Sequence, residues 1–107
     1  MSSTEFYNIV KLVPQPGKFN QALEIFKTFS KYVQENEPKT QIYCALQPTK
    51  TEELVFIEKY ADEDTLKAHG ASSEFRKFFK ALGPLLAKTP EMTRADLVGG
   101  FEGRAKL

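Results

Sequence analysis

Hydrophobic and polar positions change period along the chain, and each change marks an element. From Phe6 to Val13 apolar residues alternate with Asn8 and Lys11, as a strand requires, and the run ends in the turn cluster Pro14-Gln15-Pro16-Gly17. From about Lys18 to Gln34 the period lengthens. Phe19, Ala22, Leu23, Phe26, Ser30 and Val33 then form the inward stripe of a helix. Pro38 stops it, because proline cannot continue a helix and disfavours helix in the residue before it. Gln41 to Gln47 reads as a second strand and residues 48–52 as a polar hairpin loop. Leu54 to Tyr60, rich in β-branched and aromatic residues, is the third strand. Asp62 caps a short helix with Glu63 and Asp64 in its first turn, where the dipole favours negative charge. That helix carries His69, the single histidine, and stops at Gly70. Ser72 or Ser73 caps a further helix with Phe75, Phe78, Phe79 and Leu82 at helical spacing, which Pro84 breaks or kinks. Met92 to Gly100 is the last strand, and a polar tail follows.

The order is βαββαβ, a ferredoxin-like α+β fold with an antiparallel sheet, in one domain spanning residues 1–101 with a flexible tail at 102–107. Two helices cover only one face of four strands. Phe6, Val10 and Leu12 alternate with Tyr7, Ile9 and Val13, and Leu54 and Phe56 with Val55 and Ile57, so both sheet faces carry bulky residues. Sheet-on-sheet packing in a homodimer is therefore expected.

Composition removes several classes of function. Fifteen Lys and Arg against fourteen Asp and Glu give a net charge of +1 with no basic stripe, so nucleic acid and anionic membrane are poor partners. No apolar run nears the roughly 20 residues a membrane span needs, and residues 1–5 lack signal-peptide character. Cys44 stands alone, excluding an internal disulfide and a cysteine metal set. Its plain reading is a small apolar filler in the second strand, against that of a reactive thiol. No metal is expected, since one histidine and one cysteine offer neither an HExxH nor a CxxC pattern. A glycine-rich phosphate loop and a GxSxG elbow are also missing, and a flavin or nicotinamide site has no support.

The stretch Glu58 to Phe75, EKYADEDTLKAHGASSEF, carries a more specific pattern. A strand ending in a Glu and an aromatic leads to an acidic-capped helix with a histidine, then to a Ser-x-x-Phe helix. It resembles the signature of the antibiotic biosynthesis monooxygenase family, small dimeric α+β barrels. The resemblance implies a homodimer, no cofactor, and a ligand cavity between helices and sheet within each subunit. It also implies a catalytic role for His69, with Asn8 and Phe75 or Phe79 binding substrate. Asn8 matches the strand-one Asn of the haem-degrading branch, but that branch's later His falls near Phe79, so no axial ligand is available. The anthrone-oxidising branch uses a Trp, and this chain has none. The pattern is closer to quinol-oxidising and isomerase-like members, which keep a histidine in the His69 context.

Each residue also has a plainer reading. His69 near a helix end can be a mildly favoured cation, a general base, or a hydrogen-bond donor to a ligand. Asn8, flanked by Phe6 and Val10 on one strand face, needs partners in a structural network or in a ligand. Most of Phe19, Phe26, Phe29, Phe56, Phe75, Phe78 and Phe79 are core, with two or three lining a cavity. The function expected is a cofactor-independent monooxygenase or isomerase acting on a small phenolic, quinol or enolisable compound. The alternatives are a non-catalytic ligand-binding or stress-related dimeric barrel, or a structural dimer with no ligand. The final tripeptide Ala105-Lys106-Leu107 is a variant of the Ser-Lys-Leu peroxisomal address, read by the import receptor in a eukaryotic source. Otherwise a cytoplasmic location is expected.

Overall fold

The computed structural model describes residues 4–104, so the tripeptide Ala105-Lys106-Leu107 lies outside the described residues. The element order is β1 (Phe6–Leu12), α1 (Phe19–Asn36), β2 (Thr40–Leu46), β3 (Leu54–Tyr60), α2 (Glu63–Ala71), α3 (Ser73–Leu82), a 3-10 turn (Gly83–Leu85) and β4 (Glu91–Ala95). The four strands form one antiparallel sheet in the order β2-β3-β1-β4. This is the ferredoxin-like arrangement, with its second helix split in two.

The split is written locally. The Asp62 carboxylate accepts from the Thr65 amide at 2.8 Å, starting α2, and the Ser72 hydroxyl accepts from the Phe75 amide at 3.1 Å, starting α3. Two caps only ten residues apart force two short helices at an angle where one long one would otherwise run. His69 falls in the last turn of α2, just ahead of that bend.

One sheet face is buried by the helices. Phe6, Asn8, Val10 and Leu12 of β1 stand opposite Tyr60, Glu58, Phe56 and Leu54 of β3, and all eight are buried. On α1 the deepest residues are Ala22, Phe26, Phe29 and Val33, so Phe29 takes the place expected of Ser30. Phe26 packs tilted against Phe56 at 4.4 Å and Phe29 stacks on Phe78 at 4.6 Å between ring centroids, tying α1 to the sheet and to α3.

The other face has no helix. Tyr7, Lys11, Val55 and Ile57 are half-buried there, and Ile9, Cys44 and Leu46 are exposed. Cys44 is therefore not the buried filler expected: strand alternation turns Tyr43 and Ala45 inward and leaves Cys44 outward, opposite Ile57. The last strand is also shorter than expected. β4 pairs with β1 only from Glu91 to Ala95, with Tyr7 the last β1 partner. Residues 96–104 leave the sheet, and Gly100 takes a positive φ that suits glycine. The chain then returns across the helix-free face, where Glu102 meets the Tyr7 hydroxyl and, at 2.6 Å, the Lys59 ammonium.

Candidate active site

The inner face of the sheet carries one polar row. Reading across β2, β3, β1 and β4, the register places Tyr43, Glu58, Asn8 and Arg94 side by side. A bulge at the start of β2, where Gln41 is the extra residue between Thr40 and Ile42, sets the phase that turns Tyr43 inward. Arg94 ends the row at the sheet edge. Its guanidinium lies 3.6 Å from the centre of the Phe6 ring and 2.7 Å from Glu63.

His69 comes down onto this row from α2. It is only 3% exposed, and its ring is walled by Phe29, Tyr43, Tyr60 and Phe75 at centroid distances of 5.2–5.5 Å. Its Nδ1 lies 2.8 Å from Oε1 of Glu37. Glu37 is positioned by the end of α1. It precedes Pro38, so it leaves the helix, while its own amide still bonds to the Val33 carbonyl. The same Oε1 also accepts from the Thr40 hydroxyl at 3.0 Å. Oε2 is buried without a partner.

A carboxylate only accepts, so Nδ1 carries a proton toward Glu37. In the neutral ring Nε2 is then the basic nitrogen. Glu37 thus fixes both the orientation and the tautomer of the only histidine, as the carboxylate does in other His-centred sites.

A cavity of about 120 Å³ lies on the sheet side of His69, lined among others by Asn8, Tyr43, Glu58, Phe75 and Phe79. A wider open groove of about 470 Å³ lies on the other side, with Glu37, Lys39, Asp62 and Thr65 among its walls. His69 borders both.

The sequence-derived candidates therefore meet. His69, Asn8, Phe75 and Phe79 share the inner cavity, with Asn8 fully buried, Phe75 half-buried and Phe79 exposed at the rim. Phe56 and Phe78 line it too, so four phenylalanines do so where two or three were expected. The cavity is apolar apart from its Asn8, Tyr43, Glu58 and His69 lining. A dry cavity of about 150 Å³ holds benzene, so the scale here is that of a single ring.

Glu58 was not among the expected site residues. It is buried, and the Tyr60 hydroxyl donates to its Oε1 at 2.6 Å. Burial pushes its carboxyl up to about 7. The Tyr60 hydrogen bond opposes this rise, and the charge of Glu37 adds to it. Tyr43 and Tyr60 are raised above the ordinary phenol range, first by burial and then by Glu58. A signal for Glu58 was present: it keeps the phase of Leu54, Phe56 and Tyr60, which marks it as an inward charge. Glu37 had no such signal, because its partner is 32 residues away.

The family model for antibiotic biosynthesis monooxygenases matches residues 5–81. The chain belongs to this family.

The matched span includes Asn8, Glu37, Glu58, His69, Phe75 and Phe79, and so the whole cavity lining except Leu82, Pro90 and Met92. Among solved structures, a provisionally named antibiotic biosynthesis monooxygenase from Caulobacter crescentus is 28% identical. The match covers 91% of this chain and 92% of that one, with a TM-score of 0.85. A second protein with the same provisional name, from Nitrosomonas europaea, is 14% identical over 92% and 94% of the two chains, with a TM-score of 0.84. A conserved protein from Methanosarcina mazei is 23% identical over 85% and 90%, with a TM-score of 0.79. The last two show the shared fold alone. No curated protein matches the sequence significantly. Among the described residues no group of three or more His, Cys, Asp or Glu is placed to hold a metal ion, and no helix is long and apolar enough to cross a membrane.

Proposed function

We propose that the protein is a cofactor-independent monooxygenase, or an isomerase using the same proton chemistry, acting on a small phenolic, quinol or enolisable compound. The observation that carries this reading is His69 itself. It is buried at a cavity wall, with Nδ1 held by a carboxylate and its basic Nε2 free of that contact.

In this reading His69 takes the acidic proton of the bound compound through Nε2, and Glu37 steadies the imidazolium that results. The anion left behind is electron-rich and reduces dioxygen directly. One oxygen atom enters the product and replaces two hydrogens; the other leaves as water, the substrate itself supplying the electrons. In the isomerase variant the proton returns to a different carbon and dioxygen takes no part. The aromatic walls keep water away from the anion, and Asn8 orients its oxygen.

The site belongs to a homodimer in this proposal. A second copy covers the helix-free face, where Ile9, Cys44 and Leu46 are exposed beside half-buried Val55 and Ile57. The test is oxygen uptake with a panel of single-ring quinols and phenols, run beside solvent-deuterium exchange into enolisable ketones. Uptake supports the oxygenase, and exchange without uptake the isomerase. Binding with neither leaves a non-catalytic ligand-binding barrel and refutes the catalytic proposal.

A further inference from the structure

The cavity contains a second ionisable group on the face opposite His69. Glu58 is 6% exposed and lies in the centre of the sheet, between Tyr43 of β2 and Asn8 of β1. Tyr60 occupies its Oε1. Among the described residues, no Lys, Arg or His nitrogen forms an ion pair with it. A carboxyl buried in this way is costly to ionise and retains its proton, which makes it a hydrogen-bond donor. We propose that Glu58 determines which ligands the cavity accepts, by donating its carboxyl proton to a carbonyl or enolate oxygen on a small single-ring compound.

This rests on the reading that the cavity binds such rings, and adds which polar feature the ring must carry. The donor is supplied from the sheet floor while His69 sits on the helix side, so a ligand is held between an acid and a base. A carbonyl oxygen on Glu58 and an acidic hydrogen toward His69 describe an enolisable ketone or a quinol-quinone pair. A ring without an acceptor oxygen would leave the carboxyl proton unmatched in an apolar cavity.

The groups facing Glu58 decide its response to pH. Tyr43 and Tyr60 remain neutral throughout the ordinary range, Asn8 does not titrate, and Glu37 beyond His69 favours the protonated form. A charge on His69 would favour the ionised form. Arg94, next in the row beyond Asn8, is engaged by Glu63 and the Phe6 ring. Burial outweighs the Tyr60 bond, consistent with a carboxyl that holds its proton up to about pH 7.

The test compares acetophenone, which carries an acceptor oxygen, with ethylbenzene, which has the same shape and none. Binding is followed by NMR from pH 5.5 to 8.5. Wild type should prefer acetophenone at low pH and lose about tenfold or more of that preference as the pH passes 7, one hydrogen bond to a buried group being at stake. Glu58→Gln, a permanent neutral donor, should keep the preference at every pH. Tyr60→Phe removes a bond that favours the ionised form, and should move the loss to higher pH. His69 is the only histidine, so its ring signals report its own titration in the same samples. A preference that does not change with pH in wild type overturns the proposal and leaves the ring pocket standing. So does a pH dependence that survives in Glu58→Gln. Failure of both rings to bind at any pH overturns the ring-binding reading along with it.

Discussion

Replacing Glu58 by Gln should remove a pH-dependent weakness from the fold. Burial raises the Glu58 carboxyl from its ordinary 4.5 to about 7. Below pH 4.5 the group is protonated in both folded and unfolded chains and contributes no difference. Between 4.5 and 7 the folded chain holds a proton that the unfolded chain has released. Stability there falls as pH rises, by about 1.4 kcal/mol per pH unit. Above 7 the loss is complete. Over the 2.5 units between 4.5 and 7 it amounts to about 3 kcal/mol, a large part of the stability of a domain this size. Gln keeps the shape and an oxygen that accepts from Tyr60, but it does not ionise. Urea unfolding of both proteins at fixed concentration, from pH 4 to 9, measures the difference directly. The stability of Glu58→Gln relative to wild type should grow by about 3 kcal/mol across that range. Groups other than Glu58 cancel to first order in this comparison. Parallel curves would show that Glu58 is ionised in the folded protein, and would also undercut its role as a donor to ligands.

His69→Ala should lower turnover per folded molecule by roughly 100- to 10,000-fold, the usual range for losing a general base. Because the ring is buried and partners Glu37, it should also cost about 1–3 kcal/mol in urea, so activity must be normalised to folded protein. In wild type, nitrogen NMR should find the neutral His69 ring protonated at Nδ1; in Glu37→Ala that fixed tautomer should be lost, and an unchanged spectrum would refute the orienting role. Light scattering should give a dimer at micromolar concentration, and Ile57→Asp on the helix-free face should give a monomer that remains folded.

Most of the fold was legible because its signals are local. The Asp62 and Ser72 caps, the Pro38 stop and the Ala22, Phe26 and Val33 positions of the α1 stripe each depend on residues within a few positions. The end of β4 was not legible, because the apolar pair Leu97-Val98 reads locally as more strand, while pairing with β1 stops at Ala95. Cys44 was misplaced for a related reason. Composition says a free cysteine is buried, while its phase in β2, fixed by the bulge at Gln41, puts it on the uncovered face. Within the site, Asn8 was readable as a polar residue on an apolar strand face, and His69 as the single histidine of the Glu58 to Phe75 pattern. Glu37 acquires its role only when the end of α1 folds against α2.

The site places two carboxyl groups on opposite sides of one imidazole, and their environments separate their roles. Glu37 stands on the groove side, accepts from His69 and Thr40, and acts on Glu58 as a like charge. Glu58 stands on the cavity side, deeper in the fold, and among the described residues receives only the Tyr60 hydroxyl. Two negative charges this close would cost far more than one. The favourable distribution is one ionised carboxylate outside the cavity and one protonated carboxyl inside it. The ionised one holds His69 by its Nδ1, and its charge adds to the burial that keeps the other protonated. Glu37 therefore serves both ends of a bound ligand without touching it. Neutralising Glu37 should weaken both: His69 loses the charge that steadies its imidazolium, and Glu58 loses its proton at a lower pH than in wild type. Carboxyl carbon NMR of Glu58 in Glu37→Gln reads the second effect without any substrate. A midpoint that stays where it is in wild type would mean that burial alone holds the Glu58 proton, and that the two carboxyl groups act independently.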